Sequence, residues 1–302
     1  MKNIKFLFFF LLILGLSRNL WAAPIKIVAT TTTLADLAKQ VTGDLAEIYP
    51  IASPKQNIHF YAPTPKDVLK IKKAEVCIHQ GLDLEAWRPP LLDAAGNPKF
   101  LGEAKGAIDV SKGIKLLEVP TSLSRAQGDI HMFGNPHYSV DPRNAEIMLE
   151  TIAKRLSELY PEHADEFQKN SEAYHQKLDQ KINEWVGLMK PHSGLPVITY
   201  HKSWPYFAER FGLNIVEQLE PVPGIPPTAK HLAKIRTLIL EKNVKLIIKE
   251  TFQENKTSEK LSQETGVKIA VLVQNPGEVK EAQDYISMMD YNLAQLQKAL
   301  SK

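Results

Sequence analysis

Four residues sit in contexts that could hold a metal ion. They are His59 in Asn57-Ile-His-Phe-Tyr-Ala-Pro-Thr-Pro65, His137 in Gly134-Asn-Pro-His-Tyr-Ser-Val-Asp-Pro142, His201 in Thr199-Tyr-His-Lys-Ser-Trp204, and Asp284 in Gln283-Asp-Tyr-Ile-Ser-Met-Met289. Three imidazoles and one carboxylate make a complete coordination shell for a divalent transition metal such as zinc. One histidine alone is more often structural or solvated. Four residues that each stand beside a turn or a helix start reverse that expectation, because loop residues carry function more often than core residues. They come from both halves of the chain, so only the tertiary fold can gather them. Four protein ligands would leave no tetrahedral position for an activated water, which points to capture and release rather than hydrolysis.

Two further residues could join them. Glu250 ends an apolar run and could support the shell or replace one of its ligands. His131, in Gly128-Asp-Ile-His-Met132, lies six residues before His137 and could enter the site or stand beside it as a relay. His79 ends another apolar run and reads as structural support. His163, His175, His192 and His231 lie in polar contexts and read as solvated. No nucleophile elbow, phosphate loop or His-Glu-x-x-His helix competes with the metal reading.

The elements that must position these residues alternate along the chain. Strands are expected near 25–29, 45–51, 76–79, 197–200, 214–218, 245–249 and 268–273, and helices near 34–43, 65–74, 84–95, 142–159, 204–211, 228–242, 256–265 and 282–300. Alternation of this kind implies α/β architecture with mostly parallel sheets flanked by helices. In open parallel sheets, ligands bind beyond the C-terminal ends of the strands. His201 directly follows a strand, and His59 and His137 precede proline-marked helix starts, so a common rim is expected. Between Pro161 and Lys190, Phe167, Tyr174, Leu178, Ile182 and Trp185 recur at helical spacing. About 30 helical residues make a rod of roughly 45 Å, long enough to span two lobes. The expected division is a signal peptide at 1–23, an N-terminal α/β lobe at 24–141, a helical segment with the long linking helix at 142–190, and a C-terminal α/β lobe at 191–302.

The N-terminus reads as a cleaved secretory signal. Lys2 and Lys5 precede an apolar stretch from Phe6 to Leu16, and Trp21-Ala22-Ala23 offers small residues for cleavage. The stretch is too short to span a bilayer comfortably. Removing Lys2, Lys5 and Arg18 from 37 basic residues leaves 34, matching the 34 acidic ones. A near-neutral mature chain argues against nucleic acid or an anionic membrane as partner. The single cysteine, Cys77, excludes an intramolecular disulfide. No cysteine follows the signal directly, so a lipid anchor is not expected. A free, monomeric protein of the periplasm fits these features.

Together the motifs resemble the zinc/manganese-binding family of ABC-transporter solute-binding proteins. The resemblance rests on His-x-Tyr-x-Pro-Thr-Pro from 59, on Asn-Pro-His-Tyr with Asp-Pro over 135–142, and on Tyr-His-x-x-x-x-Tyr-Phe-Ala over 200–208. Glu250 after a strand and the Asp-Tyr-Ile-Ser-Met-Met-Asp-Tyr-Asn run over 284–292 complete it. It implies two α/β lobes joined by one long rigid helix, with metal in the cleft between them. It implies His59 and His137 as ligands from the first lobe, and His201 and Asp284 from the second. It also implies delivery of the ion to a membrane permease driven by a cytoplasmic ATPase, and no covalent chemistry is expected of the protein. Zn2+ is the expected cargo, with Mn2+ or Fe2+ as the alternative. A zinc-dependent hydrolase and a metal-binding adhesin are the more distant readings. Asn135 and Ala62 stand where many members carry Asp and Glu, and the long His- and acid-rich loop of some zinc members is absent.

Overall fold

The computed structural model describes residues 23–101, 104–121, 131–222 and 224–301. The segment read as a signal peptide lies outside them, apart from its last residue.

Two four-stranded parallel sheets carry the fold. The first contains β1 (Ile25–Ala29), β2 (Ala46–Pro50), β3 (Val76–His79) and β4 (Ala107–Asp109), in the order β2-β1-β3-β4. After α1 (Thr32–Thr42), α2 (Pro65–Lys73), α3 (Arg88–Ala95), α4 (Pro142–Leu159) and α5 (Ala164–Met189) comes the second sheet. It is built from β5 (Pro196–Thr199), β6 (Asn214–Gln218), β7 (Leu246–Glu250) and β8 (Lys268–Leu272), in the order β6-β5-β7-β8. The remaining helices are α6 (Pro205–Phe211), α7 (Ala229–Glu241), α8 (Lys256–Thr265) and α9 (Tyr285–Leu300).

Both sheets thus repeat one topology. In each, the chain starts at an inner strand, pairs outward on one side, then crosses to the other. Loops leaving the two inner strands diverge there and open a crevice at the C-terminal ends. The inner strands β3 and β7 are buried along their whole length, as parallel strands covered on both faces must be.

Local chemistry sets the helix starts. Thr64 and Asp67 form a reciprocal capping box at α2, with Pro65 at the first helical position. Asp141 caps α4 through the Arg143 amide, again with a proline following. Three starts differ from the sequence expectation. α5 begins at Ala164 rather than Pro161, after a 3-10 turn at Pro161–His163. α3 begins at Arg88 rather than near 84, because Leu82 and Asp83 turn through φ values of 54° and 59°. α9 begins at Tyr285 rather than at Ala282, because Asp284 serves as its cap. Strand β4 was not expected: three residues are too few to display a period.

The long helix α5 has 26 residues, about 39 Å at the α-helical rise. Its buried stripe is Phe167, Ser171, Tyr174, Leu178, Ile182, Trp185 and Met189. It packs on α1 and α4 at one end and on α6 and α9 at the other. Asn170 donates to the Val41 carbonyl of α1, and the Trp185 indole donates to Asp290 of α9. Each fully buried aromatic of this stripe contributes about 1.5–3 kcal/mol by leaving water. The hydrophobic cluster that includes this stripe is continuous, running from Ile27 and Leu34 in the first lobe to Val197, Leu246 and Leu272 in the second.

Candidate metal centre

Three loops deliver three imidazoles to one point. After β2, a single 3-10 turn at Ile58–Phe60 carries His59. The Asn57 side chain accepts from the His59 amide, and the Trp87 indole donates to the Ile58 carbonyl at 2.9 Å, so the turn is held from both sides. His137 stands before a 3-10 turn at Tyr138–Val140, and its amide donates to the Asn135 side-chain oxygen. The fully buried Tyr138 next to it donates its hydroxyl to the Gln80 carbonyl beyond β3. His201 follows β5 after one intervening residue.

The three rings face one another at centroid separations of 5.0 Å (His59–His137), 5.4 Å (His59–His201) and 5.4 Å (His137–His201). One nitrogen from each lies within 4.8 Å of the others. The Nε2 atoms of His59 and His137 are 3.1 Å apart. Two nitrogens bound tetrahedrally to zinc stand about 3.3 Å apart, so this pair is already close to ligating distance. His137 and His201 are buried and His59 is half-buried.

Electrostatics prepare the site for a cation. Burial, reinforced by the neighbouring His201 and His131 rings, holds His59 down to about 3. Burial first, then the surrounding imidazoles, holds His137 well below its ordinary value. Both rings are therefore neutral at pH 7, the form that binds metal. The His201 Nδ1 lies 2.7 Å from a Glu220 carboxylate oxygen, which leaves Nε2 for the metal. This is the carboxylate–histidine pairing that fixes ring orientation and raises ligand basicity. Glu220 had no motif to mark it. Its only sequence signal is a carboxylate just beyond the end of a β-type run.

The structure brings His59, His137 and His201 together and does not bring Asp284 to them. The Asp284 side chain accepts from the Ser287 amide, and the Ser287 hydroxyl receives the Asp284 amide, in an exposed reciprocal cap on α9. A cap of this kind and a ligand on a loop look alike in sequence. The inference from four ligands to a closed shell therefore falls on other residues.

His131 stands beside the cluster, its ring centroid 5.0 Å from His59 and 6.4 Å from His137. Glu250, fully buried at the end of β7, accepts from the Trp204 indole at 3.0 Å and from the Gln274 amide at 3.2 Å through one oxygen. Its other oxygen has no well-formed hydrogen bond, although the Ser203 hydroxyl lies beside the carboxylate. Burial raises the Glu250 carboxyl, and His201 pulls it back down. An unsatisfied buried carboxylate oxygen is costly, and this one, close enough to His201 to feel its charge, fits a polar or cationic ligand. The remaining histidines divide. His163 and His192 are partly exposed, whereas the His175 ring lies 3.8 and 3.6 Å from Glu146 and Glu150 and the His231 ring contacts the Gln218 carbonyl at 2.9 Å.

The two lobes meet around this centre. Tyr206 donates to the Asn135 carbonyl, and the Asn135 amide donates to the Lys202 carbonyl, tying the His137 loop to the segment after His201. Arg210 grips Asp141 with two bonds of 2.7 and 3.1 Å.

Known proteins are similar to this chain over most of its length. The Iron-binding protein YfeA of Yersinia pestis is 28% identical over 291 residues, covering 93% of this chain and 88% of that protein. The Zinc-binding protein AdcA of Streptococcus pyogenes serotype M1 is 25% identical over 287 residues, covering 90% of this chain. The chain spans only about half of that longer protein, 55% of its length. A crystal structure of ZnuA matches with a TM-score of 0.77 at 25% identity, over 92% of this chain and 99% of that one. A family model described as "Zinc-uptake complex component A periplasmic" matches residues 27–299. The chain belongs to this family of periplasmic zinc-uptake components.

Proposed function

We propose that this protein is the solute-binding component of an ABC importer, capturing a divalent transition metal between its lobes and handing it to a membrane permease with its cytoplasmic ATPase. Zinc is the preferred cargo. The observation that carries this reading is the convergence of three neutral, largely buried imidazoles from three separate loops. Nitrogen donors favour zinc over manganese in the ordinary order of divalent metals. His59, His137 and His201 are the proposed ligands. Glu250, through its unpartnered oxygen, or His131, beside His59, takes the fourth position. Asp284 stays outside the shell as a helix cap.

Iron or manganese is the second reading, favoured by the likeness to a protein described as iron-binding. Catalysis is not proposed: the related proteins are named for binding and uptake. The proposed organisation is an exported monomer, freed of residues 1–23 and residing in the periplasm, with lobes at 24–141 and 191–302 bridged by the helical segment 142–190. A core continuous through α5 supports small movements on release rather than wide hinge opening.

The test is competitive titration of metal-stripped protein with zinc, manganese and ferrous iron. One equivalent of tightly bound zinc, with weaker binding of the other two, supports zinc uptake. A preference for manganese or iron keeps the site and changes the cargo. No stoichiometric binding of any of them overturns the reading.

A further inference from the structure

A cavity of about 970 Å³ opens on the first lobe, along the outer edge of β4 and between α3 and α4. None of the three clustered histidines lines it. Its walls carry an excess of positive charge, five Lys or Arg side chains against three carboxylates. Two of those carboxylates already have partners. Glu158 is paired with Arg155, and one Asp109 oxygen accepts from both the amide and the hydroxyl of Ser111. Among the described residues, no carboxylate lies within ion-pair distance of Arg88, Lys105, Lys112 or Lys154.

An exposed edge strand is commonly guarded by lysines that deter pairing with another chain. That accounts for Lys105 and Lys112, which flank β4. It does not account for the cavity floor. There Arg88, from the first turn of α3, is held partly buried with its Nε lacking any partner. Beside it is His79, at the end of β3, 8% exposed and with Nδ1 also unpartnered. Glu85 and the Cys77 thiol lie close enough to feel the Arg88 charge and balance part of it, but its unpaired Nε donor still costs stability. A guanidinium in a recess ringed by lysines is the usual recognition element for a carboxylate or phosphate. The cavity also has the size of an ordinary small-molecule site.

We propose that this cavity is a second ligand site, distinct from the metal centre, which takes a small anion bearing carboxylate or phosphate groups. Arg88 meets the anionic group at the floor, and Lys112 and Lys154 close over it from the rim.

The test is calorimetric titration of the metal-free protein, at low ionic strength, with inorganic phosphate and separately with succinate. Saturable one-to-one binding of either, with a dissociation constant of about 1 mM or tighter, is expected. Preference for phosphate or for succinate assigns the anionic group. The double variant Lys112→Gln/Lys154→Gln changes only exposed side chains and should fold normally, yet should bind about tenfold more weakly. His59→Ala should bind the anion as the parent does. Binding of neither anion overturns the proposal, as does undiminished binding by the lysine variant. Loss of anion binding in His59→Ala would reassign it to the metal centre and equally overturn the proposal.

Discussion

His201 and Glu220 form a 2.7 Å contact between the segment after β5 and the end of β6, and it orients the imidazole toward His59 and His137. A carboxylate behind a ligand histidine fixes its tautomer and strengthens it as a donor. Glu220→Ala should therefore weaken zinc binding about 10- to 100-fold while the fold is retained. Glu220→Gln, which keeps an acceptor without the charge, should lie nearer the lower figure. Zinc titration of the two variants beside the parent checks this, and unaltered affinity in Glu220→Ala removes Glu220 from the site.

Asp284 gives the opposite expectation. Its carboxylate accepts from the Ser287 amide at 2.7 Å as the cap of α9. Asp284→Ala should cost about 0.5–2 kcal/mol of stability and leave zinc affinity unchanged. Denaturation and metal titration on one preparation separate these effects. A large loss of affinity with little loss of stability would restore Asp284 as a ligand.

Acid should destabilise the metal-free protein through the same imidazoles. In the unfolded chain a histidine takes a proton near pH 6.5, whereas folded His59 resists protonation down to about 3. Between those values the unfolded state binds more protons, so stability falls as pH falls. His59 alone should account for about 2 kcal/mol between pH 7 and pH 5, and His137 acts in the same direction. Urea midpoints of metal-stripped protein at the two pH values measure it. A midpoint that does not move contradicts the burial of neutral rings.

Arg210 and Asp141 couple the lobes. Asp141 also caps α4, so it holds both a helix start and an arginine from α6. Arg210→Ala leaves a nearly buried carboxylate without its partner. Because about a third of the arginine side chain is exposed, the expected cost is about 2–3 kcal/mol, below the range for a fully buried pair. Thermal denaturation of the variant checks this. A change within the error of the parent would make the contact a surface pair of no consequence.

Much of this was legible in the sequence. Alternating apolar runs and helical stripes gave two parallel α/β sheets, because period and cap chemistry are local properties. The stripe from Phe167 to Met189 announced the long helix. His59, His137 and His201 stood out because each lies beside a turn that proline and asparagine chemistry makes predictable.

Other features depend on which loops meet, and local sequence cannot express that. Glu220 matters only because β6 pairs with β5 and brings its end beside His201. Asp284 resembled a ligand in sequence, but a helix start 225 positions from His59 acquires a metal role only if the fold carries it there. The fold gave it the α9 amides instead. β4 was too short to show a period, and the cavity along its edge exists only because α3 and α4 leave that edge open. Sequence alone determined the element types and singled out the three loop-borne imidazoles. Tertiary structure decided their convergence, the burial that keeps His59 and His137 neutral, and the carboxylate that aims His201. Those are distances between segments remote in the chain, set by packing rather than by neighbouring residues.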